Sequence, residues 1–517
     1  MKFSMDLTRE PFCRSMSRLL LRMDKEPEAL YVGVTPDGEN PGRLSVSQIK
    51  FCRDKEELPF TAAVKDGKVR VEAGDGWAEL AIALPNRLLI QGRGLTLLFG
   101  NGKGAGVFMG GGSAVQDTVN PGGALLAMSG SKLRFVPCKG QVEVSSCWDL
   151  NALSDPDPRV YLHPDQDGAL DFVMYESEFD EIYSAEPMTV DEAATQTVEE
   201  FEDFLKTIKM PAGDDELFLR AAYSIWTALQ PARELDQKRI TTPEYITGRT
   251  SAGTAKLADN TLLALLFKEP AAAVDRMASF LKYMQPDGML PRQANNRMFL
   301  IEAELPLFGL VLRELLAAGA EIPAETFDAL CKAYAWWKEE RWCCERKLFY
   351  YLHRYEPGCC VKLPFADTAP EFAPDLNALM LLWLEALAAI AKQLGRDAGE
   401  YEAAYKETHA ALLEKLWAGD HFIFTDILDQ TVCQGHPRAL LPLLLADSLP
   451  AEVKTALADA VPAENSEDAL YLACALGGTD PAKLKAIADA LRQEASGTEF
   501  MNVRQALTLL LVCGMAS

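Results

Sequence analysis

Four cysteines of this 517-residue chain stand in two adjacent pairs, Cys343-Cys344 and Cys359-Cys360. Cysteine thiolates bind zinc, exchange disulfides or act as nucleophiles, so the pairs suggest three kinds of chemistry. Adjacent cysteines lack the spacing that turns two thiolates toward one zinc ion, and the nearby His353 supplies no second ligand pair, so we expect no metal. A redox-sensitive bridge between the pairs requires the segment between them to fold back as a hairpin. The simplest interpretation is that the twelve cysteines are free thiols in a reducing compartment.

Polar side chains gather in two loops that precede apolar helices. Asp259 follows a stretch rich in Gly, Ser and Thr, and the second loop contains a Pro-Asp-Gly turn at residues 286–288. Amide and guanidinium groups donate hydrogen bonds in several directions, so this composition suits a ligand with many hydroxyl groups. An ordinary helix cap and an ordinary polar loop are the alternatives. The predicted substrate-binding side chains are Asp259, Asn260, Gln285, Arg292 and Gln293.

A third loop connects an aromatic, strand-like run to the most apolar helix of the chain. It carries three carboxylates, Glu356, Asp367 and Glu371. Long loops inside compact domains are usually functional, so these carboxylates are candidates for chemistry. Each of them is also compatible with an ordinary solvated charge.

The composition limits the partners of the protein. The chain has 51 Lys+Arg and 75 Asp+Glu, a formal net charge of -24, which disfavours nucleic acids and anionic membrane surfaces. Its hydrophobic content of 49% supports large cores and a folded protein of more than one domain. The apolar run at residues 19–21 is too short for a signal peptide, and residues 376–391 fall short of a bilayer span, so we expect neither export nor an anchor. A cytoplasmic protein with a small-molecule ligand is the expectation, and an oligomer is compatible with it.

The periodicity of the sequence divides the chain into two parts. Up to about residue 185, apolar and polar residues alternate in short runs separated by Gly, Pro and Asp, which is typical of an antiparallel sandwich or barrel. Residues 78–92 contain one such hairpin, with Pro85-Asn86 at its turn. Helical periodicity begins at "TVDEAATQTVEEFEDFLKTI" and continues to the end of the sequence. We therefore predict an N-terminal antiparallel β-sandwich domain at 1–188 and an all-α domain at 189–517.

About twelve helical segments follow one another in the second part. Gly395 ends one helix, and Asp397 with Glu400 resembles a capping box at the start of the next. Twelve helices in antiparallel pairs can close into an (α/α)6 toroid of six hairpins with a funnel at one end. Trp383 and Trp417 fit core positions better than sugar platforms. The predicted helices span about 193–208, 214–230, 258–267, 271–284, 300–318, 324–340, 375–394, 398–416, 437–460, 465–476, 481–493 and 500–513.

Four short segments of the helical part form an ordered set. They are "ADNTLLA" at 258–264, "QPDGMLP" at 285–291, "ELPLFG" at 304–309 and "DLNA" at 375–378. The set resembles the six-hairpin glycosidases of glycoside hydrolase family sixty-three and the related mannosylglycerate hydrolases. The corresponding family segments are W-D-x-x-F/x-A, Q-x-x-D-G-x-I/L-P, P-P-L/I-x-G-W and D-L-N-A, and the tryptophan of the first is missing here. The resemblance covers roughly residues 220–420 and implies a β-domain, an (α/α)6 toroid and hydrolysis of a glycosidic bond.

The family carries a further segment, E-S-G-W-D-N-S, whose aspartate is the general acid. Aligned with it, "EPGCC" at 356–360 keeps Glu356 and Gly358 but places Cys360 at the acid position. A thiol does not readily replace the carboxylic acid that protonates a leaving oxygen. The resemblance therefore implies that Glu356, Asp367 or Glu371 supplies the acid. It also implies that Tyr355 and Cys360 lie near the substrate.

The general base of the family is a glutamate in a loop shortly before the last inner helix. Glu494 and Glu499 occupy that region here, although the E-N-Y-x-P-like and Gly-Tyr-Trp-Arg-Gly-Pro-type segments of the family are absent. Both residues are also compatible with charges at helix ends. In an inverting enzyme the acid and the base stand roughly 6.5–9.5 Å apart, which leaves room for the attacking water.

Three functions stay open at this point. The first is inverting hydrolysis of an α-glucoside or α-mannoside in a small intracellular glycoside, which would place the protein in carbohydrate metabolism. The second is a non-catalytic carbohydrate-binding or scaffolding descendant, which the cysteine at the acid position favours. The third is a thiol enzyme with Cys359 or Cys360 as nucleophile and His353 as base, but no orienting third group is recognisable. None of the three requires a cofactor.

Overall fold

The protein is described by a computed structural model. The described residues are 4–25, 28–35, 45–101, 113–128, 131–150, 155–177, 188–213, 216–230, 234–235, 238–239, 244–246, 255–294, 299–300, 302–353, 356, 370–433, 435–445, 447–462, 468–477, 480–498 and 501–517.

The chain forms two compact units. The first comprises Met1–Lys206, Tyr223–Thr254 and Thr498–Val503, and the second comprises Thr207–Ala222, Ala255–Gly497 and Arg504–Ser517. The first unit is built mainly of strands and the second mainly of helices. The domain boundary near residue 188 stays a prediction.

Seventeen strands among the described residues build two antiparallel sheets in the first unit. One sheet has nine strands in the order β1-β7-β8-β9-β10-β17-β14-β13-β12, and the other has the order β15-β16-β11-β5-β4-β3-β2 with β6 beside β5. The strands are β1 (Ser4–Met5), β2 (Phe12–Cys13), β3 (Leu19–Lys25), β4 (Glu28–Val34), β5 (Ser45–Arg53), β6 (Glu56–Glu57), β7 (Phe60–Lys65), β8 (Lys68–Ala73), β9 (Gly76–Ala83), β10 (Arg87–Arg93), β11 (Thr96–Asn101), β12 (Ser113–Gln116), β13 (Ala124–Met128), β14 (Ser131–Lys139), β15 (Gln141–Ser145), β16 (Arg159–His163) and β17 (Ala169–Ser177).

The two sheets pack as a sandwich, which confirms the predicted fold of this part. Phe99 of β11 and Phe135 of β14 come from different sheets, and their ring centroids lie 4.7 Å apart. The predicted hairpin is present, because β9 pairs with β10 and the turn contains Pro85-Asn86. The alternating pattern of the sequence thus directs one set of side chains of each strand into the core between the sheets.

The described helices follow as α1 (Val190–Thr207), α2 (Glu216–Ala228), α3 (Leu257–Leu262), α4 (Pro270–Ala278), α5 (Phe308–Ala317), α6 (Ala324–Glu340), α7 (Pro374–Gln393), α8 (Gly399–Leu416), α9 (Ala451–Ala460), α10 (Ala469–Leu476), α11 (Pro481–Gly497) and α12 (Val503–Ala516). Three 3-10 segments span Leu263–Leu266, Ser279–Tyr283 and Pro437–Leu445. Short strands complete the chain: β18 (Leu229–Gln230), β19 (Glu234–Leu235), β20 (Lys238–Arg239), β21 (Glu244–Tyr245), β22 (Ala255–Lys256), β23 (Gln293–Ala294), β24 (Phe299–Leu300), β25 (Trp342–Cys343), β26 (Leu348–Tyr351), β27 (Glu371–Phe372), β28 (Phe424–Asp426) and β29 (Thr431–Cys433).

Two predicted helices are wrong. The helix expected at 300–318 begins only at Phe308, and Leu300 lies in the strand β24. The segment expected as a single helix at 437–460 is a 3-10 helix, Pro437–Leu445, followed by the separate helix α9. Pro442 lies inside the 3-10 segment and Pro450 immediately precedes α9. Proline donates no backbone hydrogen bond, so each of them interrupts a continuous α-helix.

The helix α7 is the core helix of the second unit. It packs against α5, α8 and the 3-10 helix Pro437–Leu445. Sixteen of its side chains are buried, including Trp383 at 1% exposure, as expected for an inner helix that is apolar on all sides. With 20 residues it is long and apolar enough to cross a membrane, but 89% of its apolar window is buried within the protein, as in a core helix.

Candidate active site

Six of the helical segments of the second unit have, at or before their first turn, a charged residue that meets the others in one group. We call these residues the helix-start cluster: Asp259 of α3, Glu304 before α5, Asp375 of α7, Arg438 of the 3-10 helix Pro437–Leu445, Asp468 before α10 and Arg504 of α12. Contacts between these residues bring the N-terminal ends of the six segments together. Charged residues at the starts of these helical segments therefore line one end of the helical unit.

One half of the cluster is a buried ion triad. Arg438 donates from Nε to Asp468 Oδ1 over 3.0 Å and from Nη1 to Asp375 Oδ2 over 3.5 Å. Tyr351 donates its hydroxyl hydrogen to the same Asp375 oxygen over 3.2 Å. All four residues are buried, and Asp375 is fully inaccessible. One guanidinium thus compensates two carboxylates in a region from which water is excluded.

Glu371 lies beside this triad, on the strand β27. It is only 1% exposed, and its Oε1 has no hydrogen-bond partner among the described residues. Burial, followed by the charge of Asp375, raises the pKa of Glu371 to about 8. The carboxyl group of Glu371 is therefore protonated at neutral pH, as a general acid must be before it donates its proton.

The other half of the cluster surrounds Arg504. Arg504 Nε donates to Asp259 Oδ1 over 2.6 Å, and its Nη1 donates to the hydroxyl oxygen of Tyr471 over 2.9 Å. The Arg438 guanidinium carbon lies 6.0 Å from the centre of the Tyr471 ring, so Tyr471 connects the two halves. The Arg504 side chain is 30% exposed, whereas that of Asp259 is 3% exposed. The cluster therefore reaches solvent at Arg504 and can be approached there by a ligand.

Glu304 belongs to the Arg504 half. Burial raises its pKa to about 7, against the opposing charges of Arg504 and Arg292 and with a smaller contribution from Asp259. Arg292 is itself buried and pairs with Glu302 over 2.9 Å. A buried carboxyl with a pKa near neutrality can both accept and release a proton at physiological pH.

A small cavity adjoins Glu304. Its aromatic walls are Phe308, Trp336, Trp337 and Trp383, and its volume of about 10 Å³ is enough for one water molecule. Trp383 Nε1 is buried without a partner among the described residues. The core position predicted for Trp383 is confirmed by its burial, and its ring also borders this cavity.

The structure places the predicted substrate-binding residues in different surroundings. Asp259 and Arg292 lie in the Arg504 half of the cluster. Asn260 is fully buried in α3, where its amide donates to the Lys256 carbonyl oxygen over 3.0 Å. Gln285 donates to the Tyr283 carbonyl oxygen over 3.0 Å, and Gln293 is half-buried on β23. Tyr355 and Cys360 lie outside the described residues.

The five predicted catalytic carboxylates also separate. Glu356 is buried, forms an ion pair with Arg341 at 2.8 Å and accepts a hydrogen bond from the Leu352 backbone N–H. These contacts indicate a structural role for Glu356. Glu371 lies in the cluster, whereas Glu494 is exposed on α11. Asp367 and Glu499 are not among the described residues.

Sequence reasoning did not select five residues of the site: Glu304, Asp375, Arg438, Asp468 and Arg504. Glu304 and Asp375 stand inside segments that carried the family resemblance, which was one available signal. The other signal was the charge at the start of each apolar run, as in "PRALLPLLL" and "VRQALTLLLV". Neither pattern indicates by itself that the charges meet.

The cysteine pairs take no part in this cluster as far as the described residues show. The strand β25, which ends at Cys343, pairs with β26, so the hairpin in this region turns at residues 344–347. Cys343 is half-exposed, Cys344 is exposed, and both are free thiols. Cys359 and Cys360 lie outside the described residues. No three His, Cys, Asp or Glu side chains are grouped to hold a metal ion in the part of the chain that the structure describes.

Glu304→Gln should stabilise the protein in a pH-dependent way. The folded-state pKa of Glu304, about 7, lies above the unfolded value, so the folded state binds the proton more tightly. Relative to the glutamine variant, the wild type therefore loses stability from about pH 4 up to about pH 7, by roughly 3 kcal/mol in total, and no further above that. Thermal midpoints of both proteins between about pH 4.5 and about pH 8.5 check this; a constant difference would contradict it.

The sequence model of the mannosylglycerate hydrolase MGH1-like glycoside hydrolase domain matches residues 262–501. None of the curated proteins gives a significant match. Among solved structures, a bacterial glucoamylase in complex with acarbose is similar at a TM-score of 0.55 and 10% identity, with 98% of this chain and 94% of that chain covered. The family sixty-three mannosylglycerate hydrolase from Thermus thermophilus, in complex with Tris, is similar at a TM-score of 0.44 and 15% identity, over 57% of this chain and 99% of that chain.

Of these similarities, that to the glucoamylase extends over both parts of the chain. The glucoamylase match covers the strand-rich and the helix-rich parts together, which supports the predicted order of a β-sandwich and an (α/α)6 toroid. The matched segment 262–501 contains Glu304, Glu371, Asp375, Arg438 and Asp468, so most of the site lies inside it. The chain therefore resembles the six-hairpin glycosidases, and its helical part matches the mannosylglycerate hydrolase MGH1-like glycoside hydrolase domain.

Proposed function

We propose that the protein is an inverting glycoside hydrolase that cleaves the α-glycosidic bond of a small intracellular α-glucoside or α-mannoside in the cytoplasm. The observation that carries the proposal is Glu371, a buried carboxyl that is neutral at physiological pH inside a segment similar to a glycoside hydrolase domain. Glycoside hydrolysis needs such a protonated carboxyl beside the leaving oxygen.

The reaction uses two carboxyl groups in different protonation states. Glu371 gives its proton to the glycosidic oxygen as the bond between that oxygen and the anomeric carbon breaks. A water molecule attacks the anomeric carbon from the opposite face and loses a proton to the second carboxyl, so the product has the inverted configuration. We assign the second role to Glu304, because its pKa of about 7 lets it be ionised before the reaction and protonated after it.

The surroundings of Glu304 support this assignment. The cavity beside it has room for one water molecule, which needs polar partners to be held there. Glu304 supplies an acceptor and Trp383 Nε1 an unused donor among the described residues. Asp259, Arg292 and Arg504 lie around the same carboxyl and provide the charged groups that sugar hydroxyls bind.

The test is turnover of a panel of aryl and natural α-glucosides and α-mannosides, with mannosylglycerate included. Proton NMR during the first minutes should show the β-anomer of the released sugar before mutarotation equilibrates it. An α-anomer as first product would refute inversion, and no turnover of any α-glycoside would refute the hydrolase. Comparison of Glu304→Gln with Glu499→Gln identifies the base, since only loss of the true base should abolish hydrolysis.

A non-catalytic carbohydrate-binding protein is the second candidate function. Cys360 at the position aligned with the acid of the family favours it. In that case sugars should raise the thermal midpoint of the wild type without being hydrolysed. Substitution of Glu371 by glutamine should then leave sugar binding unchanged.

A further inference from the structure

Glu371 and Asp375 are two buried carboxyl groups only four positions apart, yet their partners differ. Burial raises the pKa of Asp375 as well, but its Oδ2 accepts hydrogen bonds from Tyr351 and Arg438, and the charge of Arg438 and the backbone N–H of Leu376 favour its ionised form. Glu371 Oε1 and Asp375 Oδ1 both lack a hydrogen-bond partner in the described part of the chain, but the second oxygen of Asp375 binds the Arg438 guanidinium, whereas no described cation binds Glu371. A proton shared between two neighbouring carboxyls resides on the one whose ionised form is less well stabilised. The geometry therefore favours a proton on Glu371 and a charge on Asp375.

The strands around Glu371 supply no compensating cation among the described residues. In the sheet, Glu371 is directly opposite Tyr351 of β26 on one side and Asp426 of β28 on the other, so these three side chains share one face. Asp426 is buried, and its Oδ1 accepts the backbone N–H groups of Leu428 and Gln430. Arg346 lies over the ring of Phe372, the next residue of β27, and pairs with Asp429.

The charge of Asp375 in turn depends on elements far away in the sequence. Arg438 comes from the 3-10 helix Pro437–Leu445, and Asp468 precedes α10. Two carboxylates against one guanidinium leave the triad with one net negative charge when Glu371 is neutral. Ionisation of Glu371 would add a second buried negative charge, which a low-dielectric interior opposes strongly. His436 and Tyr471 also interact electrostatically with Arg438 and Asp468. A neutral imidazole and a neutral phenol add no charge to the triad.

We propose that the triad Asp375, Arg438 and Asp468 is a positioning device that keeps the transferable proton on Glu371. Its three members act through Glu371 and not on the substrate. This inference rests on the proposed function insofar as Glu371 is the general acid, but the placement of the proton can be measured without a substrate.

The experiment is infrared spectroscopy as a function of pH, because a protonated carboxyl and a carboxylate absorb at different frequencies. Subtraction of the Glu371→Gln spectrum from the wild-type spectrum isolates the signal of Glu371. The wild type should show a protonated Glu371 at about pH 7. Asp375→Asn should lower the titration midpoint of Glu371 by at least about one pH unit, which is a tenfold change in proton affinity. The matched control is Asp328→Asn, because Asp328 is 62% exposed and pairs with Arg396 on the surface. An unchanged midpoint in Asp375→Asn, or an ionised Glu371 in the wild type, would overturn the proposal.

Arg438→Gln provides an independent test if Asp375→Asn does not fold. Without the guanidinium, Asp375 should take up a proton of its own, so the spectrum of Arg438→Gln minus that of the wild type should show one additional protonated carboxyl at about pH 7, beyond Glu371 and the partly protonated Glu304, and Arg438→Lys should lack it. No additional protonated carboxyl in Arg438→Gln relative to the wild type would count against the triad. The spectra test this inference separately from the proposed function. If the titration midpoints shift as expected but no α-glycoside is hydrolysed, the proposed hydrolase is rejected and the role of the triad is retained.

Discussion

Glu371→Gln should lower kcat/KM for the best α-glycoside of the panel by about 10²–10⁴-fold, the usual contribution of a general acid. Glutamine keeps the size of the side chain and its burial but cannot release a proton to the leaving oxygen. Because the carboxyl of Glu371 is already neutral at physiological pH, the substitution removes no buried charge and the fold should persist. Steady-state kinetics and the thermal midpoint of the variant check the two halves of this expectation.

Substrates with different leaving groups make this test specific. An acidic phenol can leave an aryl glycoside without full protonation by the enzyme. The substitution should therefore lower kcat/KM far less for such an aryl glycoside than for a natural alkyl glycoside. Glu345→Gln is the matched control, because Glu345 is exposed in the turn between β25 and β26 and should retain wild-type kinetics. Equal losses for both leaving groups, or loss in the control, would remove Glu371 from the role of acid.

Gly309→Ala, which adds one methyl group near the start of α5, should strongly destabilise the protein. A Cβ atom at this position would lie 2.2 Å from the Trp383 backbone nitrogen and 2.5 Å from the Leu382 carbonyl carbon. Backbone atoms of α7 cannot move aside as a flexible side chain can, so we expect the free energy of unfolding to fall by about 3 kcal/mol. That corresponds to a fall of the thermal midpoint by roughly 6–12 °C for a unit of this size.

Gly514→Ala is the matched control for this prediction. Gly514 lies in α12, and no heavy atom would come within 4 Å of an added Cβ. Alanine favours the helix over glycine by roughly 0.5–1 kcal/mol, so this variant should be as stable as the wild type or slightly more so. If Gly309→Ala is tolerated as well as Gly514→Ala, the close approach of α5 and α7 does not hold in solution.

The Gly309 contact also connects packing to the site. Trp383 borders the cavity next to Glu304, and Gly309 allows α5 to approach the backbone of α7 at that residue. A change that forces the two helices apart should therefore enlarge the cavity and alter the surroundings of Glu304. In the sequence, Gly309 is the last residue of the "ELPLFG" segment, which begins with Glu304.

Much of the fold could be predicted from local patterns. Alternation of apolar and polar residues in β8 and β9 indicated strands, because side chains of a strand point alternately to its two faces. The apolar run of α7 indicated a buried helix for the same kind of local reason. The division of residues 437–460 was missed because Pro442 and Pro450 were given too little weight against the apolar periodicity.

The sequence by itself determined which segments are buried and where charge stands at the start of an apolar helix. It did not distinguish Glu356 from Glu371, two glutamates of one loop. Tertiary structure places Glu356 against Arg341 and leaves Glu371 buried beside Asp375, which makes the first an ion-paired anchor and the second a neutral acid. The reason is that a pKa depends on burial and on neighbouring charges, and Arg438, Asp468 and Arg504 become neighbours of this loop or of Asp259 only when distant helices pack together.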